Sequence, residues 1–116
     1  MTVSNWQAFV SQTDKRLLEV RQGIPDVMKG FQQLAQAATK EGALDPKTKE
    51  LIALGIGIAD RCDGCLAYHS KAAARLGATR DEILETIGVA VYMGGGPSLM
   101  YGAEALAAFD SFAESK

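Results

Sequence analysis

The chain is poor in the features that would tie it to a charged polymer or a lipid bilayer. It has 12 Lys and Arg against 14 Asp and Glu in 116 residues, a net charge of −2. Without a basic excess, neither nucleic acid nor an anionic membrane surface is an expected partner. The longest strongly apolar run, Leu51 to Ala59, is nine residues, less than half of the ~20 that a spanning helix needs. The opening Met1-Thr2-Val3-Ser4-Asn5 has no charged and apolar leader pattern, so a cytoplasmic location is the default expectation. No Asn-Gly hairpin signal or long alternating run is present, which argues against a β-sheet. Repeats, low-complexity tracts and Ser/Pro-rich linkers are also missing, so residues 1–116 read as a single domain.

Cysteine and histidine are scarcer still. There are two cysteines and one histidine. Both cysteines fall in one Cys62-Asp63-Gly64-Cys65 unit. A disulfide across so short a loop does little to constrain an unfolded chain. In a reducing compartment such a pair points to redox chemistry or metal binding rather than to a structural staple.

What is present is helical punctuation. Pro25, Pro46 and Pro97 stand where helices can start. Trp6, Phe9, Val10, Leu17 and Val20 recur at helical spacing from about Ser4 to Arg21. From Pro25, the residues Val27, Met28, Phe31, Leu34, Ala35 and Ala38 form a second stripe of period 3.6. Asp45-Pro46 reads as an N-cap and first helical residue of a largely apolar, central helix reaching about Asp60. Gly55 and Gly57 in it lower helix propensity by about 1 kcal/mol each, and close packing against a neighbour is the expected reason. Leu66 to Leu76 continues in helical register to a Gly77 C-terminal cap. Thr79-Arg80-Asp81-Glu82 is a capping-box pattern and opens a helix with Ile83, Ile87 and Val91 on one face. Gly94-Gly95-Gly96-Pro97 breaks it before a last helix through Leu99, Leu106 and Phe109. The fold class expected is all-α, with five to six helices and the Cys-x-x-Cys at the N-terminus of a central one.

Along that helix, Cys65 follows Cys62 by three residues and His69 follows Cys65 by four, spacings that share a face. The two sulfurs are within reach of a disulfide with little backbone movement. A thiol in a first helical turn meets the positive end of the macrodipole and unpaired N–H groups, which favour thiolate. Cys65 has that place, with His69 one turn behind it to take its proton or face the thiolate as imidazolium. A thiolate beside a second thiol can reduce a peroxide: attack on the O–O bond gives a sulfenic acid, and the neighbour condenses with it to a disulfide.

The run Glu50-Leu51-Ile52-Ala53-Leu54, then Cys62-Asp63-Gly64-Cys65-Leu66-Ala67-Tyr68-His69, resembles the alkylhydroperoxidase D/carboxymuconolactone decarboxylase family. So do Lys71 to Thr79 and Glu82-Ile83, and the likeness covers roughly Leu44 to Leu106. It implies an all-helical domain assembled as homo-trimers or homo-hexamers. It also implies a thiol peroxidase in which Cys65 becomes the sulfenic acid, Cys62 resolves it, and His69 and Glu50 relay protons. Spacing alone does not bring Glu50 to Cys65; only the resemblance does. The family pattern has a histidine just before the second cysteine, where this chain has Gly64, leaving water or Tyr68 as substitutes in the relay. No flavin, haem or nicotinamide motif is visible, so no cofactor is expected. Electrons for a hydroperoxide substrate would come from an external dithiol, such as a lipoyl group or a thioredoxin-like protein.

Other readings compete. Sharing the fold, the chain would be a non-catalytic redox sensor or assembly module, or a decarboxylase-like member, a branch that generally lacks the cysteine pair. Zinc is a further alternative, with Cys62, Cys65 and His69 as ligands and Asp63 or Glu50 as the fourth; without a second Cys/His pair, no metal is expected. Glu50 also suits a charged first turn for purely electrostatic reasons. Tyr68, Tyr92, Met93, Met100 and Tyr101 are candidates to line a substrate pocket or a subunit interface, with core packing expected for most of them.

Overall fold

A computed structural model describes residues 3–114 as six helices: α1 (Trp6–Gly23), α2 (Pro25–Thr39), α3 (Pro46–Ala59), α4 (Asp63–Arg75), α5 (Arg80–Gly94) and α6 (Gly96–Glu114). No strand occurs among the described residues, so the domain is all-α as expected. The caps are those that the sequence advertises. Asp45 accepts a hydrogen bond from the Thr48 N–H at 2.7 Å, with Pro46 at the first helical position of α3. Thr79 and Glu82 close a reciprocal capping box at the start of α5. Each such cap contributes about 1 kcal/mol.

The core lies where α3, α4, α5 and α6 pack on one another. Leu54 and Ile58 of α3, Leu66 of α4 and Ile83 of α5 are fully buried. Burial of each stabilises the fold by about 1.5–3 kcal/mol. Alanines fill the rest of the interface: Ala67 and Ala73 of α4 and Ala105 and Ala108 of α6. Small side chains let helix backbones approach closely. The start of α1 joins this core through Trp6 and Val10, with Phe9 edge-on to the indole. Lys47 pairs with Glu82 across α3 and α5, and Arg80 with Asp110 across α5 and α6.

Two helix ends make an instructive pair. At the end of α4, the N–H of Gly77 bonds to Ala74 and that of Ala78 to Ala73, the paired pattern of a Schellman stop. Gly77 takes the left-handed conformation this needs, with φ of 84°. At the end of α3 the same pattern recurs: Arg61 N–H to Ile58 and Cys62 N–H to Gly57. There the left-handed residue is Arg61, with φ of 58°, at a cost of about 1–2 kcal/mol for a side-chain-bearing residue. This stop turns the chain between α3 and α4 within three residues and sets Cys62 at the mouth of α4.

The structure departs from the sequence reading at the surface. The stripe on α2 is real, yet α2 buries none of its residues and touches only its chain neighbours α1 and α3. Tyr92, Met93 and Met100 were expected in the core and are exposed, because they face outward from α5 and the start of α6. Tyr68 and Tyr101 pack against the core. No helix among the described residues is long and apolar enough to cross a membrane.

Candidate active site

The site is assembled at the antiparallel contact of α3 with α4. Cys62 is the N-cap of α4, with extended backbone (φ −112°, ψ 102°), and its Sγ accepts a hydrogen bond from the Cys65 N–H at 3.2 Å. Sulfur thus occupies the place that a Ser, Thr, Asp or Asn oxygen usually takes. Cys65 lies in the first turn of α4, pressed onto α3 at Gly57. A Cβ built on Gly57 would stand 2.7 Å from the Cys65 Cβ, closer than two carbon atoms can pack. Glycine is therefore what allows the helices to meet at the dithiol.

His69 follows one turn along α4, and Glu50 lies two turns before Gly57 on α3. The antiparallel register carries the pair into contact: His69 Nδ1 is 2.8 Å from Glu50 Oε2. The carboxylate is well shielded, its side chain 13% exposed against 32% for the imidazole. A carboxylate accepts only, so the neutral ring carries its proton on Nδ1 and presents the Nε2 lone pair. The four sequence candidates thus fall on one helix–helix contact, as a dithiol at its end and an acid–imidazole pair one turn deeper. Both cysteines are free thiols and half-buried.

The electrostatics of Cys65 correct an expectation. Its position in the first turn suggested a lowered pKa; instead it is pushed up to about 11. Burial is the largest cause, followed by the hydrogen bond and charge interaction with Cys62 and by the charge of Asp60; its own backbone N–H pulls the other way and loses. That same N–H is also donated to the Cys62 sulfur. Tyr68 as a relay substitute finds no support either. Its hydroxyl donates to Asp14 of α1 at 2.5 Å, and burial together with that carboxylate raises its pKa to about 12. Among the described residues, no group of three or more His, Cys, Asp or Glu is placed to hold a metal ion, so the zinc alternative finds no ligand set.

The two raised values make a stability prediction. A group with a folded pKa above its unfolded value stabilises the fold fully below the unfolded value and loses that contribution as pH rises through the folded one. For Cys65 the window runs from 9.0 to about 11, and for Tyr68 from 10.0 to about 12. Urea unfolding of the reduced protein should show stability falling above pH 9. In the oxidised protein, which has no thiol left to titrate, the onset should move toward pH 10. A flat profile over that range in the reduced protein would contradict the assignment.

A sequence profile described as the carboxymuconolactone decarboxylase family matches residues 25–108. An uncharacterized protein of Cupriavidus necator is 36% identical over 102 residues, covering 88% of this chain and 90% of its own. The crystal structure of a carboxymuconolactone decarboxylase family protein from Legionella pneumophila, in its apo form, is similar at a TM-score of 0.90. It shares 54% identity over 93% of this chain and 96% of that one. A Thermotoga maritima family protein, described as possibly involved in an antioxidative response, is similar at a TM-score of 0.71. It is 33% identical over 76% of this chain and 91% of its own.

Proposed function

The chain belongs to the carboxymuconolactone decarboxylase family, and from that premise we propose that it is a thiol-dependent hydroperoxide reductase. Cys65 is the attacking sulfur, Cys62 resolves, and the His69–Glu50 pair moves the proton. The observation that carries this reading is the 2.8 Å contact of His69 Nδ1 with Glu50, one helical turn beyond the dithiol. A thiol held at a pKa of about 11 needs a base, and an imidazole anchored by a carboxylate is one.

The steps follow from the residues. His69 Nε2 takes the Cys65 proton as its sulfur attacks the terminal peroxide oxygen. The O–O bond breaks, the alkoxide leaves with the proton returned by His69, and Cys65 becomes a sulfenic acid. Sulfur is oxidised by two electrons, and the peroxide is reduced to an alcohol. Cys62 then attacks the sulfenic sulfur, forming the Cys62–Cys65 disulfide and releasing water. An external dithiol such as a lipoyl group or a thioredoxin-like protein restores both thiols by exchange. The half-exposed sulfurs at a helix end suit a macromolecular donor.

Stoichiometry tests the proposal. One equivalent of cumene hydroperoxide added to the reduced protein should remove both thiols and yield one equivalent of alcohol. Excess dihydrolipoamide should then sustain turnover. Unchanged thiols after prolonged exposure would overturn the reading. The raised Cys65 pKa favours a second reading, a slow redox-responsive module; one round of oxidation without turnover on any dithiol would select it.

A further inference from the structure

The turn that leads into the dithiol carries a side chain where glycine would be unstrained. The stops of α3 and α4 share one hydrogen-bond pattern. At the stop of α4 the left-handed residue is Gly77; at the stop of α3 it is Arg61, with φ of 58°. Glycine adopts that conformation without penalty and arginine does not, so the backbone gives no reason for arginine here. Its neighbours give none either. Arg61 is exposed and forms no ion pair among the described residues, although Asp60 and Asp63 flank it in the sequence. What distinguishes Arg61 is its place. It directly precedes Cys62 and is the one Lys or Arg between Leu51 and Ser70, so it brings a permanent positive charge to the edge of the dithiol.

We propose that Arg61 selects the electron donor, by pairing with a carboxylate that the donor carries close to its dithiol. The inference rests on the exchange half of the proposed function. Guanidinium and carboxylate form paired, charge-assisted hydrogen bonds, and an exposed arginine without an internal partner is available for them. The donor, rather than the hydroperoxide, is the co-substrate this charge can serve. Cys65, the sulfur assigned to the peroxide, is pressed onto Gly57 of α3, with the His69–Glu50 pair a turn deeper. Arg61 lies beyond Cys62 on the exposed turn, the side from which a bulky donor reaches the Cys62–Cys65 disulfide. There the donor's first thiolate attacks one sulfur of the disulfide, and its second thiol then closes the donor's own disulfide. The donor loses two electrons, the two cysteines gain them, and the donor's two protons end on the cysteine sulfurs. Arg61 takes no part in these bond changes; it decides which donor is held in place for them. Asp60 and Asp63 repel the same carboxylate, so the contact is a directed pair and not a general attraction for anions.

The exchange is measured without any peroxide, so that failure of the peroxidase chemistry and failure of this contact read out separately. The full chain is oxidised with diamide to the Cys62–Cys65 disulfide and mixed with dihydrolipoate or dihydrolipoamide, which share their sulfurs and differ in the carboxylate. At low salt the second-order rate of thiol recovery should be about fivefold to tenfold higher with dihydrolipoate. Salt at about 1 M should shrink the difference. Two dihydrolipoyl-lysine peptides, with Glu or Gln beside the modified lysine, place the same contrast on a larger carrier. A preference for the Glu peptide assigns the carboxylate to a macromolecular donor, and a preference confined to dihydrolipoate assigns it to a small one. Arg61→Gly suits the left-handed turn, so it should fold at least as stably as wild type while making the paired rates equal. Arg61→Lys keeps the charge without the planar fork and should retain only part of the preference. Equal rates in wild type would overturn the proposal. So would faster reaction of the uncharged donors, which would mean that Asp60 and Asp63 govern the approach, or a preference that survives Arg61→Gly.

Discussion

Gly57→Ala is expected to destabilise the protein by about 1–3 kcal/mol, the usual cost of forcing an extra carbon into a packed contact, and to slow closure of the dithiol. By helix propensity alone the change should help, since alanine is better than glycine in a helix interior by about 1 kcal/mol. Geometry reverses the sign. The new methyl would lie 2.7 Å from the Cys65 Cβ, with the Cys65 backbone next nearest at 3.7 Å. Neither obstacle is the free end of a flexible side chain, so α3 and α4 must separate. Gly55 supplies the control two residues earlier on the same helix. A Cβ there meets only the Thr86 Cγ2, at 3.5 Å, an ordinary contact. Gly55→Ala should therefore stabilise by up to about 1 kcal/mol. Urea titrations of both variants check the contrast, and the rate of Cys62–Cys65 disulfide formation reads out the site. Equal stabilisation by both substitutions would show that the helices do not meet at Gly57.

That contact marks the boundary of what was legible in the sequence. Helix starts were readable because each is written in local chemistry: Asp45-Pro46 and Thr79 with Glu82 need only their own neighbours. The dithiol and His69 were readable because they share one helix at spacings of three and four. Glu50 depended on the register of α3 against α4, a tertiary quantity that local spacing does not encode. A signal was present all the same. Glu50 and Gly57 are seven residues apart, as Cys62 and His69 are, so two antiparallel helices joined by a tight turn can match them. Pairing Gly57 with Cys62 across the turn, as the Cys62 N–H to Gly57 carbonyl bond does, places Glu50 opposite His69. The fate of the α2 stripe was beyond reach for another reason. Periodicity tells that a face is apolar, not which molecule covers it.

The pKa of Cys65 was misjudged because two cues conflict and their balance depends on burial and on where one N–H points. A first-turn position favours thiolate in isolation. Here Cys62 takes the Cys65 N–H, and burial and the nearby Asp60 charge push the thiol up. Placing a sulfur at the N-cap therefore does more than hold a resolving thiol in range. Its hydrogen bond and charge also push the Cys65 thiol up, so activation has to come from a base, His69, one turn further along α4 and anchored by Glu50 of α3. Under the proposed mechanism, that makes the pair formed between α3 and α4 a requirement rather than a refinement.

His69→Ala is accordingly expected to lower the second-order rate of hydroperoxide reduction at pH 7 by about 100-fold or more, the usual worth of a positioned base. With a pKa of about 11, only about one Cys65 in 10⁴ is thiolate at pH 7 without assistance. Glu50→Gln keeps a hydrogen-bond acceptor for Nδ1 but loses the charge that stabilises an imidazolium, so a loss of about tenfold is expected. The pH profile separates a base from a structural prop. As pH rises toward 10, the thiolate forms unaided and the His69→Ala deficit should shrink steadily. Cys65→Ser should abolish reduction at every pH. Cys62→Ser should permit one oxidation, without disulfide, and should lower the Cys65 pKa, because the hydrogen bond and charge of Cys62 are two of the causes that raise it. Single-turnover rates with cumene hydroperoxide and thiolate absorbance titrations measure both quantities. A His69→Ala rate equal to wild type at pH 7 would remove the base from the mechanism. A deficit undiminished at pH 10 would reduce His69 to holding α4 against α3, leaving the Cys65 proton to be taken by solvent.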